Sequence, residues 1–189
     1  DIRNIPLSKL MERISFVFQD SKLFKATILE NIKAASPTAP MGEVLKAIEA
    51  SQCSDILKKL PLGLNTVIGT KGVYLSGGET QRIILARAIL KNAPIIILDE
   101  ATAFADPENE NLIQKAFENL TRGKTVLMIA HRLPTVKNAD RILVLDQGSI
   151  IEEGTHMELL SLNGIYSEMW KDYQKSVAWK INNGDRDAC

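Results

Sequence analysis

Two adjacent carboxylates at the end of an apolar run are the first residues in this chain whose types and spacing could do chemistry. Asp99 and Glu100 directly follow residues 95–98, four apolar residues typical of a buried strand. Open α/β sheets bind ligands at the carboxyl ends of their strands, and successive side chains point to opposite faces, so the two acids can differ in task. Beside a magnesium nucleotide, Asp99 would hold the metal and Glu100 would deprotonate the attacking water. Two solvated acids at a strand end are the structural alternative.

A second candidate site is the segment Leu-Ser-Gly-Gly-Glu at residues 75–79, which opens a predicted helix. Two glycines after a serine leave bare backbone N–H groups at the positive end of that helix, an arrangement that binds phosphate. A Gly-Gly pair before a helix can also be only a turn. The order of this helix and then the strand that ends at Asp99 favours phosphate binding.

The hydrophobic pattern predicts alternating strands and helices that would position these two segments. The predicted strands are residues 14–18, 95–98, 125–130, 141–145 and 149–152. The predicted helices are residues 27–60 with breaks at Pro37 and Pro40, 79–90, one that begins at Asp106-Pro107, 157–162 and 165–179. Strands and helices that alternate in this way are typical of an α/β fold with a parallel sheet and right-handed crossovers.

The composition excludes several functional classes. The chain has 189 residues, of which 45% are hydrophobic and 24% charged, as in an ordinary globular domain. Lys plus Arg and Asp plus Glu both number 23, so the net charge is zero and no nucleic-acid partner is expected. A membrane-spanning helix needs about 20 apolar residues, and the apolar runs are far shorter. The two cysteines are too few for a disulfide framework, and no Cys/His pair has zinc-ligand spacing.

Taken together, the segment at residues 75–79 and the strand with its two acids at 95–100 resemble the nucleotide-binding domain of ATP-binding cassette (ABC) transporters. Phe-Gln-Asp-Ser at residues 18–21 resembles the Q-loop of that family, and Ala-Phe-Ala-Asp at 103–106 lies where its D-loop belongs. His131 matches the switch histidine that contacts the γ-phosphate. The resemblance implies a P-loop NTPase-like α/β core, present in part, with an inserted α-helical subdomain.

The resemblance covers about residues 1–160 and is closest to exporter-type members, in which the membrane domain is fused before the ATPase. The segments that carry this likeness are residues 1–3, 17–20, 23–24 and 27–32. Thr70 departs from the exporter pattern, which has glutamate at this point of the X-loop at residues 69–72.

The resemblance implies a role for each matched residue. The implied catalytic residues are Glu100 and His131. ATP would be bound by Gln19, Ser76, Gly77, Gly78, Glu79 and Asp106, and Mg²⁺ by Asp99 and Gln19. ATP and Mg²⁺ are therefore the expected cofactors.

The P-loop of the family, Gly-x-x-x-x-Gly-Lys-Ser/Thr, is missing from the 189 residues. The Gly-Lys-Thr at residues 123–125 has Glu118 where the first glycine should be, and it precedes a strand instead of following one. It therefore predicts a turn at a helix end. In the family the P-loop lies upstream of the Q-loop, so we expect an ATPase domain truncated at its N-terminus.

This expectation sets the predicted domain boundaries. Residues 1–176 would be the C-terminal part of the ABC ATPase domain, with the helical subdomain at about 20–92 and core strands and helices at about 93–162. Residues 177–189 would form a C-terminal tail.

The function implied by the resemblance is ATP binding and hydrolysis that powers translocation across a membrane through nucleotide-driven dimerisation. The implied partners are a second ABC ATPase domain and a transmembrane domain fused upstream, which would place the ATPase at the cytoplasmic face of the cell membrane. The 189 residues alone would be inactive. The transported substrate, the direction of transport and the choice between homodimer and heterodimer are not encoded in these residues.

Three alternatives stay open. A soluble ABC-type ATPase of DNA repair or translation shares these motifs. It usually carries a long coiled coil or basic linker between the Q-loop and the signature, the segment Leu-Ser-Gly-Gly-Glu at residues 75–79, but here only residues 19–75 lie between them. The ATPase subunit of an ABC importer is the second alternative. A non-enzymatic regulatory cassette is the third, although Glu100 and His131 are both present.

Overall fold

The computed structural model describes residues 1–18, 21–69, 73–99, 107–130 and 133–184. The chain forms two compact units, Asp1–Ile129 and Ala130–Cys189. In the described part of the chain, no helix has both the length and the apolar character needed to cross a bilayer.

A parallel three-stranded sheet organises the first unit. Its strands are β1 (Ile14–Val17), β2 (Ile95–Asp99) and β3 (Thr125–Ile129), in the order β1-β2-β3. The central strand β2 buries Ile96 and Leu98 completely, as its run of apolar residues predicts. Leu98 is in register with Val17 on one side and Met128 on the other. The three strands therefore end at the same edge of the sheet, which confirms the parallel arrangement predicted from the sequence.

The third strand leaves apolar side chains in contact with solvent. Leu127 is 54% exposed and Ile129 is 51% exposed. Within the described part of the chain, β3 pairs with β2 on one side only. The apolar composition of this strand therefore exceeds what the described neighbours bury.

Four helices form the helical part of this unit: α2 (Ile28–Lys33), α3 (Met41–Ala50), α4 (Ser54–Lys59) and α5 (Gly77–Lys91). Side chains such as Ile32, Val44, Ile56 and Ile83 form their common core. The predicted helical stretch 27–60 is thus three separate helices. Pro40 precedes α3, as expected, whereas the break between α3 and α4 falls at Gln52, whose φ of 59° is left-handed.

Helix α5 is buried on two sides. Ile83 and Ala86 pack into the helical core, while Leu85 and Ala88 pack into a second core beneath the sheet with Leu98. Helix α6 (Pro107–Thr121) covers the same second core, to which it contributes side chains such as Ile113 and Phe117. Helix α5 therefore connects the helical part of the unit to its sheet.

Two local features at the ends of elements complete this unit. Helix α1 (Leu7–Arg13) has no buried residue, so no apolar periodicity marked it in the sequence. After α6 the chain turns at Gly123, whose φ is 69°, and the Lys124 N–H donates to the Thr121 carbonyl at 3.1 Å. This confirms that the Gly-Lys-Thr segment follows a helix end as a turn, with Thr125 beginning β3.

The second unit contains α7 (Leu133–Val136), an antiparallel hairpin of β4 (Ile142–Asp146) and β5 (Ser149–Gly154), α8 (His156–Ser161) and α9 (Ile165–Gly184). Its small core contains Ile142, Leu159 and Tyr166. His156 is buried there and shares a 2.8 Å hydrogen bond between Nδ1 and the Tyr166 hydroxyl.

The carboxylate of Glu152 on β5 caps the beginning of α9. Its oxygens accept hydrogen bonds from the Ile165 N–H at 2.5 Å and the Tyr166 N–H at 3.0 Å. Helix α9 then continues past residue 179, the predicted end, to Gly184. The domain boundary at residue 176 stays a prediction, and it lies inside this helix.

Candidate functional site

The N-terminus of α5 contains the residues of the predicted phosphate site. Ser76 caps the helix: its Oγ accepts a hydrogen bond from the Glu79 N–H at 3.2 Å, and the Ser76 N–H donates to Glu79 Oε2 at 2.9 Å. This reciprocal pair explains why a helix begins here. The N–H groups of Gly77 and Gly78, the first two residues of the helix, have no acceptor within it. Ser76 and Gly77 are exposed, so the positive end of α5 faces outward.

The two glycines differ in their surroundings. A Cβ on Gly77 would meet no atom within 4 Å, so space lies open above this residue. A Cβ on Gly78 would lie 2.7 Å from both Cβ and Cγ of Asn109 on α6. Gly78 therefore allows the close approach of α5 and α6, whereas the space above Gly77 stays open.

The carboxylate of Glu79 in the signature forms an ion pair with Lys59. Lys59 Nζ donates to Glu79 Oε1 at 3.3 Å, and the Glu79 side chain is only 16% exposed. Burial alone would raise the pKa of Glu79, but hydrogen bonds from Ser76 and Lys59 and the Lys59 charge outweigh it, so this pKa lies below its ordinary value. Glu79 is therefore ionised at neutral pH.

A buried arginine fixes the position of α5. The Arg82 guanidinium, 1% exposed, donates to both carboxylate oxygens of Asp55 on α4, at 2.7 and 3.1 Å. It also donates to the Gln52 carbonyl and, at 3.2 Å, to Asn109 Oδ1 on α6. Arg82 thus joins α4, α5 and α6 just below the predicted phosphate site. The sequence analysis assigned no role to Arg82. Its position directly before the apolar Ile83 was the one sequence feature that could have indicated a buried charge.

Further along, α5 holds the segment that follows β1 and Gln19. The buried Asn31 amide donates to the carbonyl oxygens of Phe24 and Thr27, both at 3.0 Å, and its Oδ1 accepts from the Phe24 N–H at 2.7 Å. Arg87 on α5 donates to the Asn31 carbonyl at 2.9 Å and lies 5.1 Å from the centroid of the Phe24 ring. Burial lowers the pKa of Arg87. Neither Asn31 nor Arg87 was identified from the sequence as a functional residue.

Of the remaining predicted site residues, the described part of the chain contains Asp99, which lies at the edge of the sheet. Asp99, half-buried, is the last residue of β2 and is in register with Ile129 of β3. Glu100 is the next residue in the chain, Gln19 comes two positions after β1, and His131 comes two positions after β3. Gln19, Glu100, Asp106 and His131 all lie outside the described residues, as does Thr70, so their roles stay predictions.

The described side chains contain no cluster of three or more His, Cys, Asp or Glu residues that could hold a metal. Magnesium is usually bound by one or two carboxylates together with substrate phosphates, not by a dedicated protein cage. The single carboxylate of Asp99 at a strand end therefore fits magnesium that arrives with a nucleotide.

Comparison with known proteins agrees with the residues described above. The model of the family described as "ABC transporter" matches residues 1–103. The chain is 50% identical over 176 residues to the mycobactin import ATP-binding/permease protein of Mycobacterium tuberculosis, covering 93% of this chain and 20% of that protein. It is 46% identical over 178 residues to the ATP-dependent lipid A-core flippase of Neisseria meningitidis, covering 94% of this chain and 29% of that protein.

A solved structure of a bacterial Atm1-family ABC exporter with ATP bound superposes with a TM-score of 0.81 at 40% sequence identity. The match covers 92% of this chain and 30% of that one, so the chain spans less than a third of these relatives. The likeness confirms the predicted fold class, an ABC ATPase core of the P-loop NTPase type, and the exporter type of the resemblance. Because the family model covers more than half of the 189 residues, the chain belongs to the ABC transporter family.

Proposed function

We propose that these residues belong to an ATPase domain that binds and hydrolyses ATP to power an ABC transporter of the exporter type. One observation carries this proposal: the exposed end of α5, capped by Ser76 and open above Gly77, occurs in the same unit as the carboxylate of Asp99 at a strand end. The first is an anion-binding end and the second fits magnesium, which is what a magnesium nucleotide requires.

The end of α5 would bind phosphate through backbone groups. Ser76, Gly77 and Gly78 would supply the hydroxyl and the N–H groups, with the dipole of a 15-residue helix behind them. Lys91 at the other end of α5 donates to the Ile14 carbonyl at 2.5 Å, where β1 begins. Since 15 residues rise about 22 Å, the phosphate-binding end of α5 lies far from that amino edge of the sheet.

Hydrolysis would be carried out at the carboxyl edge of the sheet. Asp99 and Gln19 would hold Mg²⁺, which, when bound, neutralises phosphate charge. Glu100 would accept the proton of the attacking water, and His131 would contact the γ-phosphate. Asp106 and Glu79 would complete the set of nucleotide-binding residues. Each complete site would take Glu100 and His131 from one ATPase domain and Ser76, Gly77 and Gly78 from a second.

The proposal includes a membrane partner. Two of the relatives described above are named as ATP-binding/permease or flippase proteins, so we infer a transmembrane domain fused upstream and a position at the cytoplasmic face of the membrane. Their names refer to mycobactin and to lipid A-core at similar identities of 50% and 46%. The residues shared with this chain therefore do not distinguish substrates, and we propose none.

The test is Glu100→Gln in the full-length protein, with Glu110→Gln as its control. The amide keeps the size of the side chain but cannot accept a proton, so phosphate release should fall about 10²–10⁴-fold while ATP binding is retained. Glu110, exposed on α6, should tolerate the same change. The 189 residues alone, which contain no Gly-x-x-x-x-Gly-Lys-Ser/Thr, should hydrolyse no ATP. Near-wild-type turnover of Glu100→Gln would place the base elsewhere.

A further inference from the structure

Glu79 carries a negative charge beside the place where phosphate would bind. Its Oε2 accepts from the Ser76 N–H at 2.9 Å, so the carboxylate lies against the first turn of α5. A carboxylate there stabilises the beginning of the helix, but it also repels an approaching phosphate. A phosphate-binding end with this charge needs a nearby cation.

Lys59 supplies that cation from α4. Its Nζ lies 3.3 Å from Glu79 Oε1, on the oxygen that Ser76 does not use. Lys59 and Asp55 are four residues apart and therefore share one face of α4. Asp55 pairs with Arg82, which is three residues beyond Glu79 and shares its face of α5. Two ion pairs thus connect α4 and α5, and the Arg82–Asp55 pair, with its buried guanidinium, fixes the spacing of the helices at which Lys59 reaches Glu79.

We propose that Lys59 is a positioning residue of the signature: it neutralises Glu79 and holds its carboxylate on Ser76, so that the N–H groups of Gly77 and Gly78 can receive phosphate. The inference rests on the proposed function, since it concerns the same phosphate-binding end. Lys59 itself is 67% exposed at its side chain and touches no reacting atom in this role.

Lys58 provides a matched control. It precedes Lys59 on α4, is exposed, and carries the same charge. Among the ion pairs of the described residues, Lys58 takes part in none. Removal of its charge changes the net charge of the protein equally without touching Glu79.

The experiment compares Lys59→Met with Lys58→Met in the full-length protein, with ATPase rates measured against ATP concentration. Lys59→Met should raise the KM for ATP about two- to fivefold at about 0.1 M salt, since an ion pair whose lysine is largely exposed contributes little free energy. The kcat should not change, because the charge acts on bound ATP and on the transition state alike. At about 1 M salt, where screening acts within about 3 Å, the difference should shrink. Lys58→Met should keep the wild-type KM, and Lys59→Arg should restore it.

A Glu79→Gln background separates charge from packing. The amide introduced by this substitution can still accept from the Ser76 N–H but carries no charge, so Lys59→Met should raise KM no further in this background. An equal rise in both backgrounds, an equal effect of Lys58→Met, or an unchanged KM in Lys59→Met would each overturn the inference. If the wild-type protein hydrolyses no ATP, the proposed function fails; if it does and Lys59→Met matches it at low salt, only this inference fails.

Discussion

Replacement by alanine should have opposite effects at the two signature glycines, on activity at Gly77 and on stability at Gly78. In Gly77→Ala the new methyl meets no atom within 4 Å, so the fold should be unaffected. It would project into the open space above α5, where, in the proposed function, phosphate approaches the backbone. ATPase activity should therefore fall by at least about tenfold, because a Cβ blocks the close approach to the backbone that Gly allows. Stability should not fall.

In Gly78→Ala the new methyl would lie 2.7 Å from Cβ and Cγ of Asn109, closer than real carbon atoms approach. Cβ of Asn109 cannot rotate away, so α6 must shift relative to α5. Overpacking of this kind costs about 1–3 kcal/mol. For a domain of this size, each kcal/mol corresponds to about 2–4 °C in the melting temperature.

The assay is thermal unfolding and ATPase rate of both variants in the full-length protein. We expect Gly77→Ala to lose activity at the wild-type melting temperature and Gly78→Ala to melt several degrees lower. Equal melting temperatures for both variants would refute the packing argument. So would full rescue of Gly78→Ala by Asn109→Ala, because that change removes the clashing Cγ but leaves the clashing Cβ in place.

Two further predictions concern stability. Burial alone would raise the pKa of Asp55, but the hydrogen bond and charge of Arg82 outweigh it and lower this pKa. The Asp55–Arg82 pair therefore stabilises the fold above the ordinary pKa of 3.8, and this stabilisation is lost as pH falls through the folded-state pKa. Asp55→Asn should cost about 1–3 kcal/mol of unfolding free energy at pH 7, a figure discounted because the carboxylate is 43% exposed. The variant should also lose less stability than the wild type as pH falls below ~4; stability curves that run parallel in acid would exclude this pair as the cause of the acid loss. Gly164→Ala should displace the Glu152 carboxylate, which lies in contact with the added Cβ, from the beginning of α9, and should cost about 1 kcal/mol. Gly42→Ala, whose Cβ meets nothing within 4 Å, is its control in the same thermal assay, and an equal response would contradict the capping role.

The sequence was informative where one segment determines its own structure. The four apolar residues before Asp99 predicted the central strand, and Ser76 with Glu79 marked the capped beginning of α5, because both patterns act within a few residues. It missed the break at Gln52 and the whole of α1, since neither carries a strong local signal. It also assigned both glycines one role.

The missed site residues depend on packing between helices. Lys59 and Arg82 acquire partners only when α4 lies against α5, about twenty to thirty residues away in the chain. From the sequence alone, Lys59 and Arg82 are expected to be solvated charged residues. Their roles follow from distances that only the folded unit defines.

Helix α5 is the element on which all these contacts converge. Its first turn presents Gly77, Arg82 follows in its second turn, Arg87 holds the buried Asn31, and Lys91 reaches the carbonyl of Ile14 where β1 begins. These groups are fixed to one 15-residue helix that is buried on two sides. If the proposed phosphate-binding end of α5 moves as a rigid body, its contacts with Asn31 must move as well, and through them the segment that follows β1. No rearrangement within α5 is needed for the two regions to move together.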